Sequence, residues 1–191
     1  MAEIKILIEG YARKIDDGWL ASSTVTLVKS NNKKIIVDPG CNRKKLIEEL
    51  SKNNLKTTDI DFVFLTHNHT DHTLLAGIFE NAKVLDSGEI YDNDKQVDHN
   101  NKIPDTDLEI IQTPGHLPEH CSLLVSAKGG VYIIAGDVFW WMDDEKQEIK
   151  IEKPDQAHPA DMEKLIESRK KVLQLADYII PGHGKIFKSP K

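Results

Sequence analysis

Phe62-Val63-Phe64-Leu65-Thr66-His67-Asn68-His69-Thr70-Asp71-His72 is the stretch on which the reading of this chain turns. Its first four residues are apolar without a break and predict a strand buried on both faces. The residues that follow carry three imidazoles and a carboxylate within six positions. Side chains two apart on an extended chain point the same way. His67 and His69 can therefore converge on one point, and a turn brings back Asp71 and His72. A single histidine after a strand is usually a solvated turn residue. Four N and O donors at this spacing predict a metal site. Neutral imidazole suits zinc, iron, nickel or copper, and an added carboxylate admits manganese.

Working outward, the same grammar repeats. Ile4 to Ile8 reads as a strand, and Thr24 to Val28 and Lys34 to Val37 flank the turn Ser30-Asn31-Asn32-Lys33 as a hairpin. Lys44 to Ser51 places Leu46, Ile47 and Leu50 at helical spacing. Lys83 to Leu85, Leu108 to Ile111, Ser122 to Ser126, Val131 to Ala135 and Tyr178 to Ile180 read as further strands. Asp161 to Ala176 carries an apolar stripe from Met162 to Leu175 and predicts the longest helix. Many strands and few helices predict an α/β (α+β) domain over residues 1–191, with two packed sheets and helices outside.

Four of the strands end in polar motifs, at Asp38, the His67 cluster, Asp137 and His183. His116 in Thr113-Pro114-Gly115-His116 stands in a similar setting. Strand ends gathered on one rim are where a site is built. Each of His116, Asp137 and His183 follows a glycine, which lets the backbone turn tightly beside a ligand.

Composition bounds the function. The 191 residues are 39% hydrophobic and 29% charged, with a formal net charge of −6. A nucleic-acid binder normally shows a basic footprint. Here the basic groups are only Arg43-Lys44-Lys45 and Arg169-Lys170-Lys171, both expected to be solvated helix faces. No apolar run is long enough to cross a bilayer, and the N-terminus lacks a signal-peptide pattern, so the expected location is cytoplasmic, with no membrane partner. Cys41 and Cys121 sit in no paired motif and are expected to be small buried or half-buried apolar residues.

The ordered set of His67, His69, Asp71, His72, His116, Asp137 and His183 resembles the metallo-β-lactamase superfamily, whose H-x-H-x-D-H motif is followed by a distant His, an Asp and a last His. The resemblance covers the chain from about Asp38 to Phe187. It implies a four-layer αββα sandwich. It also implies two divalent ions, expected to be Zn2+ with Fe or Mn as alternatives. His67, His69 and His116 would hold one ion, Asp71, His72 and His183 the other, and Asp137 would bridge them. Such a centre activates a water for hydrolysis, and Asp71 is the natural residue to orient that water and shuttle its proton. Asp38 is a candidate to hydrogen-bond a ligand imidazole. His120, His158 and Trp140 are candidates to touch substrate, and Phe139-Trp140-Trp141-Met142 is read as a pocket wall, a dimer contact or plain core. His99 is expected to be solvated.

Antibiotic-destroying members often carry Cys where this chain has Asp137. The chain ends soon after His183, which predicts no helical glutathione domain of the glyoxalase II kind. The interval from Asp137 to His183 is too short for a β-CASP nuclease insertion. The stretches from Thr113 to Ser122, Ala135 to Phe139, and Ser168 to Asp177 before Pro181-Gly182-His183-Gly184 are similar to the family of metallo-β-lactamase domain-containing protein 1. That family's animal member is associated with RNA 3′-end nuclease activity. Three functions follow as expectations. The first is a dinuclear hydrolase of an ester, thioester, lactone or related small molecule. The second is a phosphodiesterase or ribonuclease with RNA as partner. The third is a mononuclear iron persulfide dioxygenase. A homodimer is a further expected partner state.

Overall fold

The structure, a computed structural model, describes residues 1–155 and 161–191. In chain order it runs through β1 (Glu3–Ile8), β2 (Tyr11–Ile15), β3 (Gly18–Ser22), β4 (Val25–Ser30), β5 (Lys33–Val37), α1 (Arg43–Lys52), β6 (Phe62–Phe64), α2 (Thr70–Thr73) and β7 (Lys83–Leu85). It continues with β8 (Glu89–Asp92), β9 (Lys95–Asp98), β10 (Glu109–Gln112), β11 (Cys121–Ala127), β12 (Gly130–Trp140), α3 (Met162–Leu175), β13 (Tyr178–His183) and β14 (Phe187–Lys188). A seven-stranded sheet has the order β1-β4-β5-β6-β7-β8-β9, and a five-stranded sheet the order β10-β11-β12-β13-β14.

Period-2 alternation sorts the side chains into layers. In β5, Ile35 and Val37 face the space between the sheets while Ile36 faces α1. In β6, Phe62 and Phe64 face inward and Val63 outward. In the second sheet Ile134 and Ile180 meet them, and Ile133, Ala135 and Ile179 turn the other way onto Val172 of α3 and Ala176 just after it. Leu46 and Leu50 of α1 cover the first sheet. The result is the four-layer αββα sandwich. Each fully buried side chain such as Phe64 contributes about 2–3 kcal/mol of burial.

Two hairpins were not expected from the sequence. Strands β2 and β3 pair antiparallel, from Tyr11 opposite Ser22 to Ile15 opposite Gly18. They form a separate ribbon. Strands β8 and β9 form a second hairpin at the edge of the first sheet. Between them, β12 runs on past Ala135 through Asp137 to Trp140, paired in parallel with β13. No described helix is long and apolar enough to cross a membrane.

Several sequence expectations change. Arg169 is 2% exposed rather than solvated, and its Nε and Nη1 donate to the carbonyls of Val138, Ile151 and Lys153. Its neighbours in the basic run do point outward: the basic stretch holds one structural cation and two surface ones. His99 is half-buried, with Nε2 at 3.0 Å from the Asp86 carbonyl and Nδ1 accepting from the Asn101 amide. Cys41 and Cys121 do match their expectation: both are free thiols, half-buried and buried.

Candidate metal centre

The seven expected donors arrive from five strand ends and turns. Strand β6 delivers His67, and one turn later α2 carries Asp71 and His72. Strand β12 carries Asp137, β13 ends in His183, and the loop after β10 carries His116. Backbone bonds fasten these segments to one another. Ser23 N–H donates to the Asp71 carbonyl, Thr24 N–H to Gly182, and Gly40 N–H to His72.

The donors form two groups. His67, His69, His116 and Asp137 offer atoms all within 4.8 Å of one another, and so do Asp71, His72 and His183. Asp137 faces both groups. Its Oδ2 lies 3.4 Å from His116 Nε2 and 3.8 Å from His67 Nε2. Its Oδ1 lies 3.3 Å from His72 Nε2 and 3.7 Å from His183 Nε2. The same oxygen would lie 1.8 Å from a Cβ placed on Gly182, so only glycine leaves the carboxylate its place.

What turns these nitrogens inward lies behind the rings. Asp38 accepts at Oδ2 from His72 Nδ1 at 2.9 Å and from Thr66 Oγ1 at 2.7 Å, and at Oδ1 from Thr66 N–H at 2.8 Å. With its proton committed to Asp38, Thr66 Oγ1 accepts from His67 Nδ1 at 3.0 Å. His183 Nδ1 donates to the Tyr11 carbonyl at 3.1 Å. His116 Nδ1 donates to Asp155 Oδ2 in a short hydrogen bond. In each case Nδ1 is held by a partner behind the ring, which leaves Nε2 facing the centre.

Burial and charge set the protonation. Burial opposes ionisation of Asp137, but the imidazoles of His72 and His183 hold its carboxyl well below the usual range. Burial would lower His72, yet the carboxylates of Asp137 and Asp38 raise it well above the usual imidazole value. His67 is pushed well down by burial and by His72. Asp71 is lowered: burial opposes, and the hydrogen bond with His183 outweighs it.

A divalent cation fits this arrangement. His67 Nε2, His72 Nε2 and Asp137 Oδ1 are buried without a hydrogen-bond partner. Three such atoms facing one another would each cost about 1–3 kcal/mol unless something satisfies them. Neutral imidazoles and a carboxylate are the donors that first-row dications take.

The cluster forms the floor of a cavity of about 740 Å³. His69, Asp71, Asp137 and His183 give its polar side, and Ala12, Trp19, Ala21, Leu74 and Trp140 its apolar side. Trp19, on the unexpected β2–β3 hairpin, is 50% exposed at the mouth, and Leu74 is 60% exposed. No lysine or arginine lines the cavity among the described residues.

Other candidates separate here. Trp140 lines the cavity, while Phe139 and Trp141 pack into the core under α3 with Phe187. His120 is fully buried and does not reach substrate space. Its Nε2 accepts the Asp137 amide at 3.1 Å and its Nδ1 pairs with Thr113 Oγ1 at 3.0 Å. Burial and the neighbouring His116 push it down to about 3. His158 lies outside the described residues. Sequence reasoning missed Asp155, Thr66 and Trp19.

A model of the metallo-beta-lactamase superfamily matches residues 18–94 and 85–183. The chain belongs to that superfamily. It is 30% identical to metallo-beta-lactamase domain-containing protein 1 of Xenopus laevis over 97% of this chain and 81% of that one. The Mus musculus protein of the same name is also 30% identical, over 94% of this chain and 68% of its own length. Hydroxyacylglutathione hydrolase 1 of Vibrio vulnificus is 30% identical over 63% of this chain and 49% of its own. Among solved structures, a metallo-beta-lactamase-like protein of Thermotoga maritima superposes with a TM-score of 0.68 at 21% identity, covering 98% of this chain and 99% of that one. The dizinc quorum-quenching lactonase AidC superposes at 0.63 with 20% identity, covering 87% and 74%. The superfamily is one of metal-dependent hydrolases, and this member carries a His/Asp cluster able to bind metal.

Proposed function

We propose that this protein is a dinuclear metallohydrolase cleaving a neutral carboxylic ester, thioester or lactone with an apolar acyl or alcohol part. The observation that carries the reading is the pairing of the two donor groups with a largely apolar cavity whose described lining residues include no lysine or arginine. A phosphodiester substrate brings negative charge that proteins meet with basic side chains, and this wall offers none. The match to a hydroxyacylglutathione hydrolase, whose name denotes a thioester substrate, adds to the reading.

His67, His69 and His116 would hold one ion and Asp71, His72 and His183 the other, with Asp137 placed to serve both. Two bound divalent ions, Zn2+ by expectation, would lower the pKa of a water toward ~7 and stabilise charge on the substrate carbonyl oxygen. The chain's own groups do the rest. Trp19, Leu74 and Trp140 bind the apolar part and exclude water from it. Asp71 Oδ2, 3.3 Å from His183 Nε2 at the cavity floor, accepts a proton from the attacking water.

The test is a substrate panel with metal analysis. Protein purified without added metal is expected to take up two equivalents of Zn2+ and hydrolyse acyl esters or lactones. Activity should fall by ~10³-fold or more in His69→Ala. Hydrolysis of labelled RNA by the wild type, lost in His69→Ala, would overturn the reading in favour of a ribonuclease. One iron per chain with oxygen uptake on a persulfide would overturn it in favour of a dioxygenase.

A further inference from the structure

Behind His116 lies a carboxylate that none of the expected donors supplies. Asp155 has a side chain that is 0% exposed. Its Oδ2 accepts from His116 Nδ1, and its Oδ1 accepts from the indole Nε1 of Trp140 at 3.3 Å. One buried side chain thus grips a candidate metal ligand with one oxygen and a wall of the substrate cavity with the other.

The grip is anchored from outside. Asp155 lies on the irregular strap that follows β12 from Trp141 onward. Lys153 fixes it from within, donating to the Trp140 carbonyl at 3.1 Å and to Glu145 at 2.7 Å with its ammonium 5.2 Å from the Trp140 ring. Arg169 of α3 fixes it from below, through the carbonyls of Ile151 and Lys153 at 2.8 and 2.6 Å. The same helix holds the other partner. Ser168 Oγ donates to the Pro114 carbonyl at 2.6 Å, and a Cβ on Gly115 would lie 2.3 Å from Leu165 N, so the loop carrying His116 rests directly on α3. Strap and loop share one support, and Asp155 closes the circuit between them.

We propose that Asp155 is a positioning residue that couples the metal centre to the substrate cavity, setting the ring of His116 and the indole of Trp140 in one fixed relation. The coupling rests on the ligand assignment of the proposed function. An amide cannot replace the carboxylate. It offers one oxygen for two N–H donors and turns its own NH2 group toward the other. A shift of Trp140 on substrate binding is transmitted to His116 through a single rigid group, and the reverse holds.

The experiment is a titration of metal-free protein with Co2+ in competition with a chromophoric chelator, on wild type, Asp155→Asn and Trp140→Phe. Wild type is expected to bind two equivalents. Asp155→Asn should weaken one of the two by about 10–100-fold and leave the other in place. It should also shift the Co2+ visible bands at saturation, which a loss of general stability would not do. Trp140→Phe keeps an aromatic ring in the wall and removes the indole N–H that Asp155 accepts. It should weaken the same ion by a few-fold. Asp155→Asn titrating like wild type overturns the proposal. Should that variant not fold, Trp140→Phe with unchanged affinity for both ions overturns it. Wild type failing to bind two equivalents would instead count against the ligand assignment.

Discussion

Asp38 and Asp155 do the same task from opposite kinds of structure. Both are buried carboxylates that take the Nδ1 proton of an inward-facing imidazole, His72 in one case and His116 in the other. Asp38 stands at the end of β5, one strand away from the segment it serves, and holds Thr66 as well as His72. Asp155 stands on an irregular strap, held by side chains of Lys153 and Arg169. The first carboxylate is part of the sheet. The second is brought in by a segment that could have been built differently without changing the fold. The sheet side fixes the chemistry common to the architecture, and the strap side is where this chain couples that chemistry to its own cavity wall.

The largest test of that contrast is stability. Among the described residues, Asp38→Ala leaves three buried donors without an acceptor, against two for Asp155→Ala. At roughly 1–3 kcal/mol for each orphaned donor, Asp38→Ala should lose about 3–5 kcal/mol in urea unfolding of the metal-free protein, and Asp155→Ala about two thirds of that. Equal losses would break the comparison.

A medium effect is expected at Arg169. Lysine keeps the charge but cannot donate to three carbonyls in a planar fork. Arg169→Lys should lose about 1–2 kcal/mol and make the strap between Met142 and Asp155 the first site of limited proteolysis. Cleavage starting near Asp38 instead would invert the assignment of the rigid and the appended side.

The smallest effect concerns His120, which holds the amide of Asp137. Its folded pKa lies at about 3, below the ordinary imidazole value of 6.5. Below pH 6.5 the unfolded chain takes up a proton that the folded chain refuses. Stability from this group is therefore unaffected above pH 6.5 and is lost progressively as pH falls toward 3. His120→Gln keeps an acceptor and a donor without titrating. It should be about 1 kcal/mol less stable at pH 7, and that gap should narrow or reverse by pH 5 in urea midpoints. A gap that stays constant with pH would contradict the depressed value.

Legibility in the sequence follows the same divide. The buried run Phe62-Val63-Phe64 and the donors packed into Thr66 to His72 could be read because local period and local spacing carry them. Asp38 was readable as a strand-end carboxylate. Asp155 was not: its partner His116 lies 39 positions away, and its setting of Lys153-Pro154-Asp155 looks like any charged loop. Arg169 was misread for the converse reason, since Arg169-Lys170-Lys171 gives no local sign that one of three cations turns inward. The β2–β3 hairpin was missed because only five residues make each strand and half of them face water, so no apolar alternation marks it.

The rings of His67, His72, His116 and His183 are each tied at Nδ1 to a group of the chain itself. The protein therefore completes the assembly of its ligand set during folding. A cation entering such a site would meet nitrogens whose direction is already set by the chain. The centre is in that sense a mould: its selectivity among dications is decided by the spacing already cast into the sheet ends, before any ion arrives.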